Sequence, residues 1–430
     1  MGSAAPRAVV LADSDSRWKW AALVARRIAP DHAIDARFLR SGTAPSQRQI
    51  DEVGIVPDTT ATLDYTDVPT DPAVSAADVV VLGTTGGTML TMIHTLGRAW
   101  RDHPSRPALV TGYVGVIYEN MVDGLLLRCG SDLVLANSAH DAARFRDVYT
   151  SLGIDPAGVV ETALPFLGGT PHDPGAAGRD RPFTVTFAVQ PSVPGTKAAR
   201  LSLVRHLARH ARLHPDREVL LKLRNQPGEA VTHTERFPYQ ELLRSLPDAP
   251  PNLRPVYGDM GSVLDRTDLL VTVSSTAAVE SVHRSIPTAV LSDFGVREAH
   301  GNHFFVHSGL LTSFADLDAG HVPTVRPEWA AEHGIGRADP YRAARERLAH
   351  LRDGGPLAPP RPFYTPERSG DYLETLVGRR GFALDGTPLT GSPTAARPPA
   401  LKRIVRRGAG HLYRFGRNRL APAVRRWQQG

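Results

Sequence analysis

Short apolar runs alternate with longer stretches of helical spacing along most of the chain. In the first half, residues 8–12, 33–39, 78–83 (DVVVLG), 106–112 (RPALVTG) and 132–137 (DLVLAN) read as strands. Residues 18–28, 88–101, 116–127 and 139–152 carry helix-compatible patterns between them. Brief apolar runs separated by helices signal strands buried on both faces, the pattern of a parallel sheet covered by helices. A Gly/Pro/Asp-rich break follows at 168–182. The alternation then resumes, with strands at 183–189 (FTVTFAV), 218–223, 253–257, 269–273 (LLVTV) and 288–291, and helices at 197–213, 238–245 and 276–284. The expected architecture is α/β: two Rossmann-like domains facing a cleft, followed by a basic C-terminal tail. The boundaries read as 1–167, a linker at 168–182, 183–353, and a Pro/Gly-rich and basic extension at 354–430, with no internal repeat.

Composition narrows the class. Hydrophobic residues are 41% and charged residues 22%, which fits a globular chain and neither a disordered nor a fibrous one. No apolar run approaches the roughly eighteen residues of a membrane-spanning helix. The opening MGSAAPRAVVLADSD passes at once into a strand-like run without a long apolar segment, so a cytoplasmic protein is expected. The single cysteine, Cys129, leaves no internal disulfide and no cysteine-cluster zinc site. The net charge of +6 is unevenly placed: residues 386–430 hold ten Lys/Arg and no Asp or Glu, leaving the rest at about −4. A mildly acidic body argues against nucleic acid as a partner of the fold.

The candidate chemistry lies at strand ends. The turn after the first strand, ADSDSRW, has no glycine, and GTTGGT after DVVVLG lacks both the dinucleotide spacing and the P-loop ending. Gly83, Gly86 and Gly87 nonetheless suit the wall of a cleft at a strand's carboxyl end. A sharper site is VSSTAAVE, where an apolar strand ends in Ser274, Ser275 and Thr276 and an Ala-rich helix begins. Hydroxyls and unpaired amides at such a junction favour phosphate, although Ser and Thr also serve as simple helix caps. Glu280 lies one turn further in, within reach of a ribose hydroxyl. Gln190 follows another strand. Lys222 and Arg224, alternating about Leu223, follow a third and could neutralise a diphosphate.

The run 267–295, TDLLVTVSSTAAVESVHRSIPTAVLSDFG, resembles the donor-binding stretch of GT-B glycosyltransferases. It is most similar to bacterial polysialyltransferase-like, Kdo-transferase-like and CDP-glycerol glycerophosphotransferase-like families and to an uncharacterised glycosyltransferase family. Ser274, Ser275 and Thr276 match the hydroxyl motif, and Ser285-Ile286-Pro287 stands for Gly-x-Pro. KLRNQP at 222–227 replaces the relatives' His-Pro. The resemblance implies a nucleotide-activated sugar donor, CMP-linked by preference, and a cell-envelope glycan or lipid-linked acceptor. It implies no cofactor and no metal. It also leaves room for a glycerophosphotransferase or a nucleotide-sugar epimerase. The acceptor-side base would be Asp13 or Asp15, with Glu119 and Asp123 as further carboxylates in the cleft.

Two rival readings come from the same residues. A strand followed by Asp13-Ser14-Asp15 is similar to the nucleophile loop of haloacid-dehalogenase-type phosphatases, with Asp259 and Asp265 near the position of the later acidic motif. His300, His303 and His307 could share a helical face and hold a metal; His303 alone, beside a donor, is the simpler expectation. Finally, residues 401–430 interleave arginines with Leu, Ile, Val, Tyr, Phe and Trp, a composition suited to an anionic membrane surface.

Overall fold

The computed structural model describes residues 5–117, 120–224 and 235–389. Glu119 and the basic tail at 401–430 lie outside the described residues. The first sheet contains β1 (Arg7–Ala12), β2 (Ala33–Leu39), β3 (Thr59–Leu63), β4 (Val79–Gly83), β5 (Ala108–Gly112), β6 (Leu133–Ala136) and β7 (Val159–Glu161). Its order is β3-β2-β1-β4-β5-β6-β7, and every pairing is parallel. The second contains β8 (Thr184–Ala188), β9 (Glu218–Lys222), β10 (Leu253–Val256), β11 (Leu269–Thr272), β12 (Thr288–Leu291) and β13 (Leu311–Thr312). It runs β10-β9-β8-β11-β12-β13, again all parallel. Two Rossmann-like, doubly wound halves are therefore present, as the alternation of runs predicts.

Burial explains why the central strands were readable. Ala8, Val9, Val10, Leu11 and Ala12 of β1 and Val79–Leu82 of β4 are fully buried, because helices cover both faces of the sheet. The strands missing from the sequence reading are edges: β3, with three of its five residues exposed, and the short β7 and β13. Edge strands bury too little to need a continuous apolar run.

Packing departs from the expected division near residue 353. Helix Arg342–Asp353 returns to the first half, where Tyr341 and Ala344 join the core under β1 and β5. The Tyr341 hydroxyl donates to Ala163 O at 2.6 Å, and Arg345 donates to Arg27 O at 3.1 Å. Helix Pro366–Gly378 then covers the opposite face of the first sheet with Leu373 and Val377. The return from Tyr341 was invisible in sequence because the helix is strongly charged, and its buried side is a narrow strip.

In both sheets the strand order reverses beside the first strand, between β1 and β4 and between β8 and β11. Open α/β sheets bind ligands in the crevices that such reversals leave at the strands' carboxyl ends. The loops at those two points carry Asp13–Asp15, Thr84–Gly86, Gln190 and Ser274–Thr276.

Candidate active site

A cleft of about 1010 Å³ is lined by both halves. The second half contributes Gln190, Lys222, Arg224, Asp259, Ser275, Thr276 and Glu280. From the first half come Asp15, Lys19, Gly86, Tyr113, Asp123 and Arg128. All seven donor-side residues read from sequence, with Ser274 included, thus lie on one cavity.

Their detailed roles differ. Ser274 is fully buried; its amide and Oγ both approach Gln190 Oε1 at 2.9 Å, and Oγ also lies against His300 O. This pair ties the β8 and β11 loops together, so Gln190 and Ser274 build the wall. Ser275 and Thr276 are half-buried and closer to the open space. Ser275 Oγ accepts from Ala277 N at 3.2 Å, a capping contact, while Thr276 Oγ1 faces Gly115 of the first half. Helix Ala277–His283 has only seven residues, so its dipole contributes less than an isolated reading of the motif suggests.

Cations also line the cavity. Lys222, at the end of β9, is 5% exposed. Its Nζ donates to Leu223 O at 2.7 Å, and it has no ion pair among the described residues. Burial brings its ammonium down to about 8, against an opposing pull from Asp259. Glu280 is 8% exposed, and burial raises its carboxyl to about 7, with Lys19 working the other way. Two partly uncompensated groups thus face one cavity, an arrangement typical of a ligand site.

Two ion pairs cross the cleft. Lys19 Nζ meets Asp259 Oδ1 at 2.8 Å, and Arg224 lies 3.7 Å from Asp15. Burial opposes ionisation of Asp259, but Lys19 and nearby amides hold its carboxyl below the usual range. Lys19 was missed in sequence. Its only signal is a place one helical turn after Asp15, on the side of helix Asp15–Ile28 that turns towards the second half.

Other candidates do not reach the cleft. Asp13 is 4% exposed; it accepts from Thr85 N at 2.8 Å and lies 3.4 Å from Arg17, so it fastens β1 to the β4 loop instead of facing an acceptor. Gly87 turns away beneath the C-terminal helix, where an added Cβ would stand 3.1 Å from Arg380. Gly86 does line the cavity, but His303 does not; His300 takes that place. The geometry lends the phosphatase reading no support: Asp13, Asp15, Asp259 and Asp265 pair with Arg17, Arg224, Lys19 and Arg284 respectively and do not gather at one point among the described residues. Among the described residues no three His, Cys, Asp or Glu side chains, the trio His300, His303 and His307 included, converge as metal ligands.

Residues 8–351 match the family model described as "Putative glycosyltransferase (DUF6716)". The chain belongs to this family. No curated protein matches it. Among solved structures, the S. aureus MnaA–UDP co-structure is similar at 12% identity and a TM-score of 0.51, covering 81% of this chain and 96% of that one. A Listeria monocytogenes protein described as a putative UDP-N-acetylglucosamine 2-epimerase is similar at 12% identity and a TM-score of 0.50, with 81% and 95% covered. At such identities the likeness is one of fold, and it matches the GT-B arrangement of two Rossmann-like halves.

Within this glycosyltransferase fold, the described residues contain no helix long and apolar enough to cross a membrane. A side cavity of about 570 Å³ shares Ile117, Asn120, Asp123 and Glu298 with the cleft.

Proposed function

We propose that this glycosyltransferase takes a sugar from a nucleoside diphosphate donor bound along the second sheet's edge and passes it to a hydroxyl on the first-half side. The carrying observation is Lys222, a buried ammonium on the cleft with no ion-pair partner among the described residues. A donor phosphate supplies the missing charge, with Arg224 beside it and the Ser275 and Thr276 hydroxyls as further donors. Glu280 faces the ribose. Lys19, Lys222 and Arg224 suit two phosphates better than the single phosphate of a CMP-linked sugar. UDP in the MnaA co-structure supports the diphosphate form.

Asp15 is the proposed base. At rest it lies 3.7 Å from Arg224. When the donor phosphate draws Arg224 to itself, the carboxylate is released to accept the acceptor hydroxyl's proton. The departing diphosphate is stabilised by Lys222 and Arg224, fixed cations already in place, so the reading needs no metal. The acceptor, a cell-envelope glycan or lipid-linked sugar, would be met at the membrane surface through the basic tail.

The test is a thermal-shift screen of CMP, CDP, UDP and GDP against the wild type and Ser275→Ala, because a ligand of the native state raises Tm. A diphosphate should stabilise the wild type and stabilise Ser275→Ala less. No shift with any of the four would overturn the donor site. Conversion of a nucleotide sugar without any acceptor would favour an epimerase instead.

A further inference from the structure

Four arginines are buried among the described residues: Arg37, Arg128, Arg200 and Arg284. Three meet carboxylates, Arg37 with Asp71 at 3.3 Å, Arg200 with Glu235 at 2.5 Å and Arg284 with Asp265 at 2.6 Å. Arg128 is the exception, and it is also the one that stands on the first-half wall of the cleft. It is 8% exposed and pairs with no carboxylate among the described residues. Nε donates to Gly112 O at 3.0 Å and Nη1 to Gly124 O at 2.7 Å, while Nη2 donates to no described group. Its guanidinium lies 3.8 Å from the Tyr113 ring centroid. Tyr113 is fixed by donation to Met121 O at 3.1 Å and packs so closely that a Cβ on Gly124 would come 2.3 Å from its hydroxyl.

Two carbonyls and an aromatic face hold the guanidinium in position without neutralising it. The surroundings add to the unmet charge. Burial lowers the proton affinity of the guanidinium, and the like charge of Arg17 works in the same direction. Asp123, on the same wall, accepts from the Tyr364 hydroxyl at 3.2 Å and does not turn to Arg128. A rigid, buried guanidinium with no carboxylate partner among the described residues, lining a cavity, is the arrangement that recognises an oxyanion.

We propose that Arg128 is an anion subsite on the acceptor side of the cleft, and that the acceptor carries a carboxylate or phosphate group. That the anion belongs to the acceptor rests on the glycosyltransfer reading above; the anion site itself does not.

Inorganic phosphate is the probe, at constant ionic strength. In a Lys222→Ala/Arg224→Ala variant, which lacks the two second-half cations and leaves Lys19 paired with Asp259, phosphate should still raise Tm. Adding Arg128→Gln should remove that shift, with at least a tenfold loss of phosphate affinity. Absence of the shift in the double variant, or its survival in the triple variant, would overturn the subsite. Because Arg128→Gln also removes two carbonyl contacts, the wild-type chain is tested in parallel by phenylglyoxal modification and peptide mapping. Phosphate should slow modification at Arg128 several-fold, and an unchanged rate counts against the site. Glucuronate and glucose 6-phosphate then distinguish the carboxylate from the phosphate source, with protection by either supporting the site. Equal protection by glucose overturns it. Nucleotide binding enters none of these measurements, so failure of the donor reading is seen separately.

Discussion

The two walls of the cleft are built differently. On the second half, side chains come mainly from the ends of adjacent parallel strands: Gln190 after β8, Lys222 and Arg224 at the end of β9, Ser275 and Thr276 after β11. On the first half the end of β1 is partly closed, with Asp13 locked to Thr85 and Arg17, although Asp15, Gly86 and Tyr113 still line the cavity just past β1, β4 and β5. Lys19 and Arg128 reach it from a helix and from the segment after a helix. A sheet edge is one surface assembled from local sequence, whereas a helical wall depends on how each helix is rotated against its neighbour.

The contrast is sharpest between the two carboxylates after β1. Asp15→Asn should cut turnover by about 10²- to 10⁴-fold, the usual worth of a general base, while shifting donor affinity only a few-fold. Asp13→Ala should do the reverse. It leaves the Thr85 amide without its acceptor, costs about 1–3 kcal/mol of stability, and leaves nucleotide affinity unchanged in a calorimetric titration. Equal loss of turnover with unchanged stability in both variants would erase the distinction.

On the donor wall, Lys222→Ala should weaken nucleoside diphosphate binding by about 10- to 100-fold, as expected for loss of a charge-assisted contact of roughly 1.5–3 kcal/mol. Glu280 sets a pH dependence of stability. Its carboxyl is raised to about 7 in the fold, against about 4.3 in an unfolded chain. The native state therefore holds the extra proton between those values. That contribution is complete below the lower value and is lost as pH rises through about 7. It amounts to on the order of 3 kcal/mol. Glu280→Gln should flatten that fall in urea melts compared between pH 5 and 8 while weakening nucleotide binding; an unchanged slope would show that Glu280 is ionised throughout. The smallest effect is expected at His303: His303→Ala should keep donor affinity within about twofold, since it lies off the cavity.

How much was legible follows the same division. The mostly apolar, buried β1, β4, β8 and β11 announced both sheets and therefore both reversal points, and the polar residues just beyond them formed the readable part of the site. Ser274 and Gln190 were located but not understood, because nothing local says that two cleft residues hydrogen-bond each other across 84 positions. Lys19 and Arg128 carry no motif: one is recognised only by Asp259 opposite, the other only by having no carboxylate partner among the described residues. The return of the chain at Tyr341 was hidden for the same reason, a few buried contacts on a highly charged helix.

On the proposed reading, the donor phosphate rests on Lys222. Calorimetric titration of UDP between pH 7.5 and 9.5 into the wild type and Lys222→Arg tests it most directly. With the Lys222 ammonium brought down to about 8, the free protein must take up a proton to bind above that pH. Wild-type affinity should therefore fall by up to about tenfold per pH unit, and the arginine variant should show no such fall. Binding that is independent of pH in the wild type, or that falls equally in both, would contradict the account.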